Sequence, residues 1–220
     1  MAAWAKSGEY MNSYVKDINP DKPLLIVDAD EVLLQFVNHL EAFVAQEGYK
    51  IELRGYQLTG NIIHTSTNEV ATQETVSDLI SNFFKACALQ MLAVDGAAQS
   101  LQRLSDHLDI IILSNVPSFA KADRIQNLHN LGMPYPFIAN EGSKGRSVAF
   151  LTEHLKAPSF FIDDLPPQHS SVAKHAPDCH RIHFVADPRL GALVSKADHA
   201  HHRIDDWDEV HDHITQHING

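Results

Sequence analysis

Two aspartates one residue apart, Asp28 and Asp30, close an apolar run in the stretch LLIVDADEVL at 24–33. Leu24 to Val27, bounded by Pro23, read as a strand buried on both faces. Residues that alternate along a strand share a face, so both carboxylates can point off the end of a sheet. Like charges at that spacing call for a cation, a shared proton or open water. Further polar residues end other apolar runs: Ser114 and Asn115 follow DIIIL, and Asp163 and Asp164 close SFFIDD. Lys144 lies between them in GSKGRS, beside glycines at an expected helix start, where backbone N–H groups and an ammonium could meet an anion. Three or four carboxylates without thiolate or imidazole suit a hard cation such as Mg²⁺. The donors Ser114 and Lys144 suit the equatorial oxygens of a phosphoryl group in transfer. One aspartate could attack phosphorus while the other protonates the leaving oxygen.

These residues need a sheet edge to gather them. Short apolar runs at 109–115, 135–140, 159–164 and 180–185 alternate with helix-like segments at 97–107, 119–131, 146–156 and 170–175. That rhythm predicts a Rossmann-like α/β core, three layers deep, with a mostly parallel sheet whose strand C-termini share one edge. The region 34–95 breaks it, with helical patterns at 35–47 and 72–92 and a polar connection between them. It reads as a helical cap inserted into a core formed by 1–33 and 96–220. The segment IDDWDEVHDHITQHI reads as a closing amphipathic helix.

In this order the motifs resemble the haloacid dehalogenase-like superfamily, phosphatase branch. DADEV is similar to its D-x-D-x-[TV] signature, and a strand ending in Ser114, then Lys144, then Asp163-Asp164 follow in sequence. The resemblance implies Asp28 as nucleophile and Mg²⁺ ligand, and Asp30 as general acid and base whose carbonyl also binds the metal. It implies Ser114, Asn115 and Lys144 around the phosphoryl group, with Asp163 and Asp164 completing the metal site. Two departures stand: Glu31 replaces the glycine common after the second aspartate, and the adjacent pair Asp163-Asp164 is one of several spacings in the last motif. DADEVLLQFVNHLEAF followed by YQLTGN is similar to the start of deoxyribonucleotidase-like members. Phe36, Tyr56, Phe83 and Phe84 could then stack on a base; for Phe83 and Phe84 the helical stripe favours core.

The expected reaction is hydrolysis of a small phosphate ester, a metabolite or a nucleotide, through an aspartyl-phosphate. A phosphotransferase of the same chemistry and a non-catalytic binding protein are the alternatives. Lys121 rivals Lys144 as the phosphate-binding lysine. A net charge of −11 without a basic block argues against a nucleic-acid polymer as partner. No apolar run suits a membrane span or a signal peptide, and a homodimer is an arrangement the sequence allows. Two cysteines, Cys87 and Cys179, outside any C-x-x-C, fit a reducing cytoplasmic setting. G-x-S-x-G and the P-loop pattern are absent. Fifteen histidines crowd toward the C-terminus. His213 and His217 share a helical face without an H-E-x-x-H pattern, so surface histidines are expected there rather than zinc.

Overall fold

A computed structural model describes residues 18–220; the first 17 residues, to which the signal-peptide expectation applies, lie outside them. Six strands form one sheet: β1 (Leu24–Val27), β4 (Asp109–Ser114), β5 (Phe137–Ala139), β6 (Ser159–Asp163), β7 (His180–His183) and β8 (His202–Arg203). Their order is β5-β4-β1-β6-β7-β8, and every pairing is parallel. The first strand is therefore central, which is why all four of its residues are fully buried. Its alternation divides the interior: Leu24 and Ile26 enter one apolar layer, Leu25 and Val27 the other.

The first layer is covered by α5 (Gly145–Thr152) and α6 (Pro166–His175), through Val148, Leu151 and Val172. The second is covered by α3 (Ala97–Ser105), α4 (Lys121–Asn130) and α8 (Trp207–Asn219), through Leu101, Leu128 and Trp207. Trp207 also donates its indole N–H to the carbonyl of Val32 at 3.0 Å. A short helix, α7 (Pro188–Leu193), follows β7 and is capped by Asp187. The parallel α/β architecture agrees with the sequence expectation. The six-residue α7 and the two-residue β8 are too short to give a periodic signal.

Between β1 and α3 lies the inserted segment: α1 (Phe36–Gln46), β2 (Tyr49–Ile51), β3 (Ile62–His64) and α2 (Gln73–Cys87). It is not purely helical, as the pattern suggested. The strands β2 and β3 pair antiparallel, with Lys50 opposite Ile63, in a hairpin whose three-residue arms carry too few apolar positions to read as strands. Thr72 caps α2 by accepting from the N–H of Thr75, and Phe83 packs edge-on against Phe36 and Phe43 of α1. The chain leaves and re-joins the sheet layer through paired backbones: Gln35 N–H donates to Leu92 O, and Val94 N–H to Leu33 O. Among the described residues, no helix is long and apolar enough to cross a membrane.

Candidate active site

The strand C-termini of β1, β4 and β6 meet at one edge and deliver Asp28, Ser114 and Asp163 side by side. One oxygen each from Asp28, Asp163 and Asp164 fall within 4.8 Å of one another. Lys144 is wedged under them, its Nζ 2.7 Å from Asp28 Oδ1 and 2.6 Å from Asp163 Oδ2, and is itself only 1% exposed. Burial works against the lysine's charge, but Asp163 and Asp28 outweigh it and hold its pKa above the ordinary lysine value. One ammonium cannot neutralise three carboxylates. Burial and the surplus negative charge push Asp163 up to about 6 and raise Asp164 well above the usual carboxylate range. A dry, over-charged set of hard oxygen donors of this kind fits a divalent cation.

Lys144 owes its place to the junction of α5 and α6. Its N–H donates to Gln168 Oε1 at 2.8 Å, and that of Gly145 to Ser171 Oγ at 3.2 Å. A Cβ on Gly145 would sit 2.2 Å from Ser171 O, so only glycine lets the two helices approach. These two N–H groups at the start of α5 are therefore spent on α6, which corrects the expectation that they meet an anion alongside the ammonium. It is Lys144, not Lys121, whose ammonium lies between the carboxylates.

Asp30 stands apart from the three-carboxylate cluster. Its Oδ1 lies 2.7 Å from Nη2 of Arg124, a fully buried guanidinium that also donates to Met91 Sδ and sits 5.5 Å from the ring centroid of Phe84. Burial pushes Asp30 up to about 6, Arg124 pulling the other way. The resemblance pointed to no such arginine. Arg124 lies on the core-facing side of α4 together with Asn127 and Leu128, and spacing from Leu128 was the one available signal.

Glu31 solves a backbone problem in place of glycine. It adopts φ 61°, the left-handed region. Its carboxylate compensates by accepting the N–H of Val37 at 2.9 Å and of Asp187 at 2.6 Å. Burial pushes this carboxyl up to about 7. The same side chain thus ties the start of α1 to the loop after β7.

Above these groups lies a cavity of about 230 Å³ lined by Asp28, Asp30, Ser114, Asn115 and Asp164 on its floor. Its walls are apolar, from Phe36, Ile51, Leu53, Tyr56, Leu58 and Phe84 of the inserted segment and Leu190 of α7. Phe83 is fully buried core, while Phe36, Tyr56 and Phe84 face the cavity. Ser114 Oγ is buried and has no hydrogen-bond partner among the described residues, leaving its donor for a ligand. Asn115 is held by Asn140 and by the carbonyl of Gly142.

No family model and no curated protein matches the chain. Solved structures do. A HAD family hydrolase from Deinococcus radiodurans R1, with bound phosphate and sodium, superposes with a TM-score of 0.60 at 15% identity, over 90% of this chain and 97% of that one. A haloacid dehalogenase-like family protein from Streptococcus pneumoniae gives 0.58 at 13% identity, over 88% and 98%. YfnB from Bacillus subtilis, whose structure is bound to magnesium, gives 0.57 at 11% identity, over 89% and 99%. With nearly the whole length of each of these chains matched and little of their sequence shared, the fold of this protein is that of the haloacid dehalogenase-like hydrolases.

Proposed function

We propose that the protein is a Mg²⁺-dependent phosphomonoesterase that works through an aspartyl-phosphate on Asp28. The observation that carries this reading is the joint placement of Asp28, Asp163 and Asp164 around Lys144, with a fourth carboxylate, Asp30, held separately by Arg124. An Asp28 oxygen forms the bond to phosphorus as the bond to the leaving oxygen breaks, and Asp30 gives its proton to that oxygen. Asp30, now a carboxylate, takes a proton from water as the water oxygen attacks phosphorus, which releases phosphate and restores Asp28. A pKa near 6 suits a group that must act in both forms. Ser114 Oγ and Asn115 bind the phosphoryl oxygens, and Lys144 offsets the charge on Asp28. Asp28, Asp163, Asp164 and the carbonyl of Asp30 would hold Mg²⁺, which would supply further positive charge to the site.

In this reading residues 34–95 are a cap over a core formed by 1–33 and 96–220, and they choose the leaving group. The apolar walls favour an aromatic or otherwise apolar organic group over a bare sugar, which keeps nucleotides among the candidates. The test is phosphate release from nucleotides, sugar phosphates and small organic phosphates, with Mg²⁺ or with EDTA. Turnover that needs Mg²⁺ and disappears in Asp28→Asn is the expected result. A protein that binds Mg²⁺ yet turns over none of them, or an Asp28→Asn variant as active as the parent, overturns the reading.

A further inference from the structure

At the other end of the sheet, histidines from three elements converge. His180 opens β7, His202 opens β8, and His213 projects from α8, which packs beside them. One ring nitrogen from each falls within 4.8 Å of the others, and the Nε2 atoms of His180 and His213 are 3.0 Å apart. His202 and His213 have ring centroids 4.4 Å apart. His217, one turn beyond His213, brings a fourth ring to 4.7 Å from His180.

We propose that His180, His202 and His213 form a binding site for a divalent transition metal of the Zn²⁺ class. Four neutral-nitrogen ligands around zinc at about 2.0–2.1 Å stand roughly 3.3 Å apart, so the observed spacing needs only a small adjustment of side chains. The 3.0 Å contact between two Nε2 atoms requires at least one bare lone pair, the form in which imidazole binds metal. Among the described residues, neither His180, His202, His213 nor His217 forms an ion pair with a carboxylate, whereas His211, on the same helix, pairs with Asp212. His201 completes the wall without being a ligand: it stacks on His180 at 4.8 Å, and both its nitrogens face N–H groups of Arg181. Phe160 closes the inner side, edge-on to His180 and His217. Imidazole selects zinc, nickel, copper or cobalt over Mg²⁺, and His180 lies three residues before His183, which is level with Asp163 at the opposite edge. The site is therefore separate from the carboxylate cluster.

The tail histidines read as surface groups because His180, the member outside the histidine-rich tail, is not visible beside them in the sequence. His213 and His217 alone make a two-ligand helix face; β7 supplies His180 only once the sheet has formed. The test is equilibrium dialysis of the full chain against Zn²⁺ with Mg²⁺ in excess, comparing the parent with His202→Asn, His213→Asn and His211→Asn. His202 is exposed, so its replacement does not endanger folding. The expected result is one Zn²⁺ per chain whose affinity falls by at least about tenfold in His202→Asn and His213→Asn and holds in His211→Asn. Co²⁺ in place of Zn²⁺ should give visible d–d absorption that the first two variants lose. Zn²⁺ binding that is absent from the parent, or equal in all four proteins, overturns the proposal.

Discussion

Asp30 and Arg124 form a pair whose two members have different histories: one sits in a recognisable motif, the other in an ordinary-looking helix. The guanidinium is fully buried against Met91 and Phe84, and its removal leaves an Asp30 carboxylate with 18% side-chain exposure without its ion-pair partner. Arg124→Met should lower the unfolding free energy by on the order of 3 kcal/mol, and the double variant Arg124→Met/Asp30→Asn should recover part of that loss, as a double-mutant cycle in urea would show. A loss in the double variant equal to the sum of the two single losses would mean that the pair is not coupled. Asp30→Asn keeps an amide oxygen to accept from Arg124, should lower stability less than Arg124→Met does, and should slow phosphate release by about 10²–10⁴-fold, the range for loss of a general acid. Asp28, Ser114 and Asp163 were legible in the sequence because each ends an apolar run, and a strand end has one direction to point. Arg124 was not, because its burial depends on Met91 and Phe84, which other segments bring to it.

The junction of α5 and α6 fixes the lysine between the carboxylates. Gly145→Ala would force a methyl into Ser171 O. The helices must part, at a cost of about 1–3 kcal/mol for overpacking, and Lys144 must move with α5. Reduced stability together with reduced turnover is the expected outcome; unchanged turnover would mean that Lys144 holds its place without this contact. Glu31→Gly tests the opposite trade. It relieves a left-handed backbone but leaves the N–H groups of Val37 and Asp187 without their acceptor, and a net loss of stability is expected in chemical denaturation. Apart from α7 and β8, the helices and the parallel strands were readable from periodicity and from polar residues at the run ends. The β2–β3 hairpin was not, since Tyr49–Ile51 offers three residues and one of them, Lys50, is exposed. A two-stranded arm of that length is held by its neighbours more than by its own pattern.

Over the whole molecule, titration of buried groups links stability to pH. Burial pushes the Cys179 thiol, beneath β7, up to about 11 from its ordinary 9.0. Below pH 9 neither the folded nor the unfolded thiol ionises; between about 9 and 11 the unfolded thiol loses its proton and the native one keeps it. Stability therefore falls as the pH rises through that window, by up to about 1.4 kcal/mol per unit from this one group. Urea midpoints at pH 8 and pH 10 should converge in Cys179→Ala relative to the parent. The strand order has a consequence of another kind, for synthesis on the ribosome. Leu24 pairs with Asp109 on one side and Ser159 on the other, so the central strand emerges well over a hundred residues before its second neighbour exists. At about 5–20 residues per second, LLIV stays without that partner for roughly ten seconds, while α1, the β2–β3 hairpin and α2 already have all their local contacts. The segment inserted after β1 is thus complete while the sheet is not, and LLIV keeps one open edge until β6 leaves the exit tunnel.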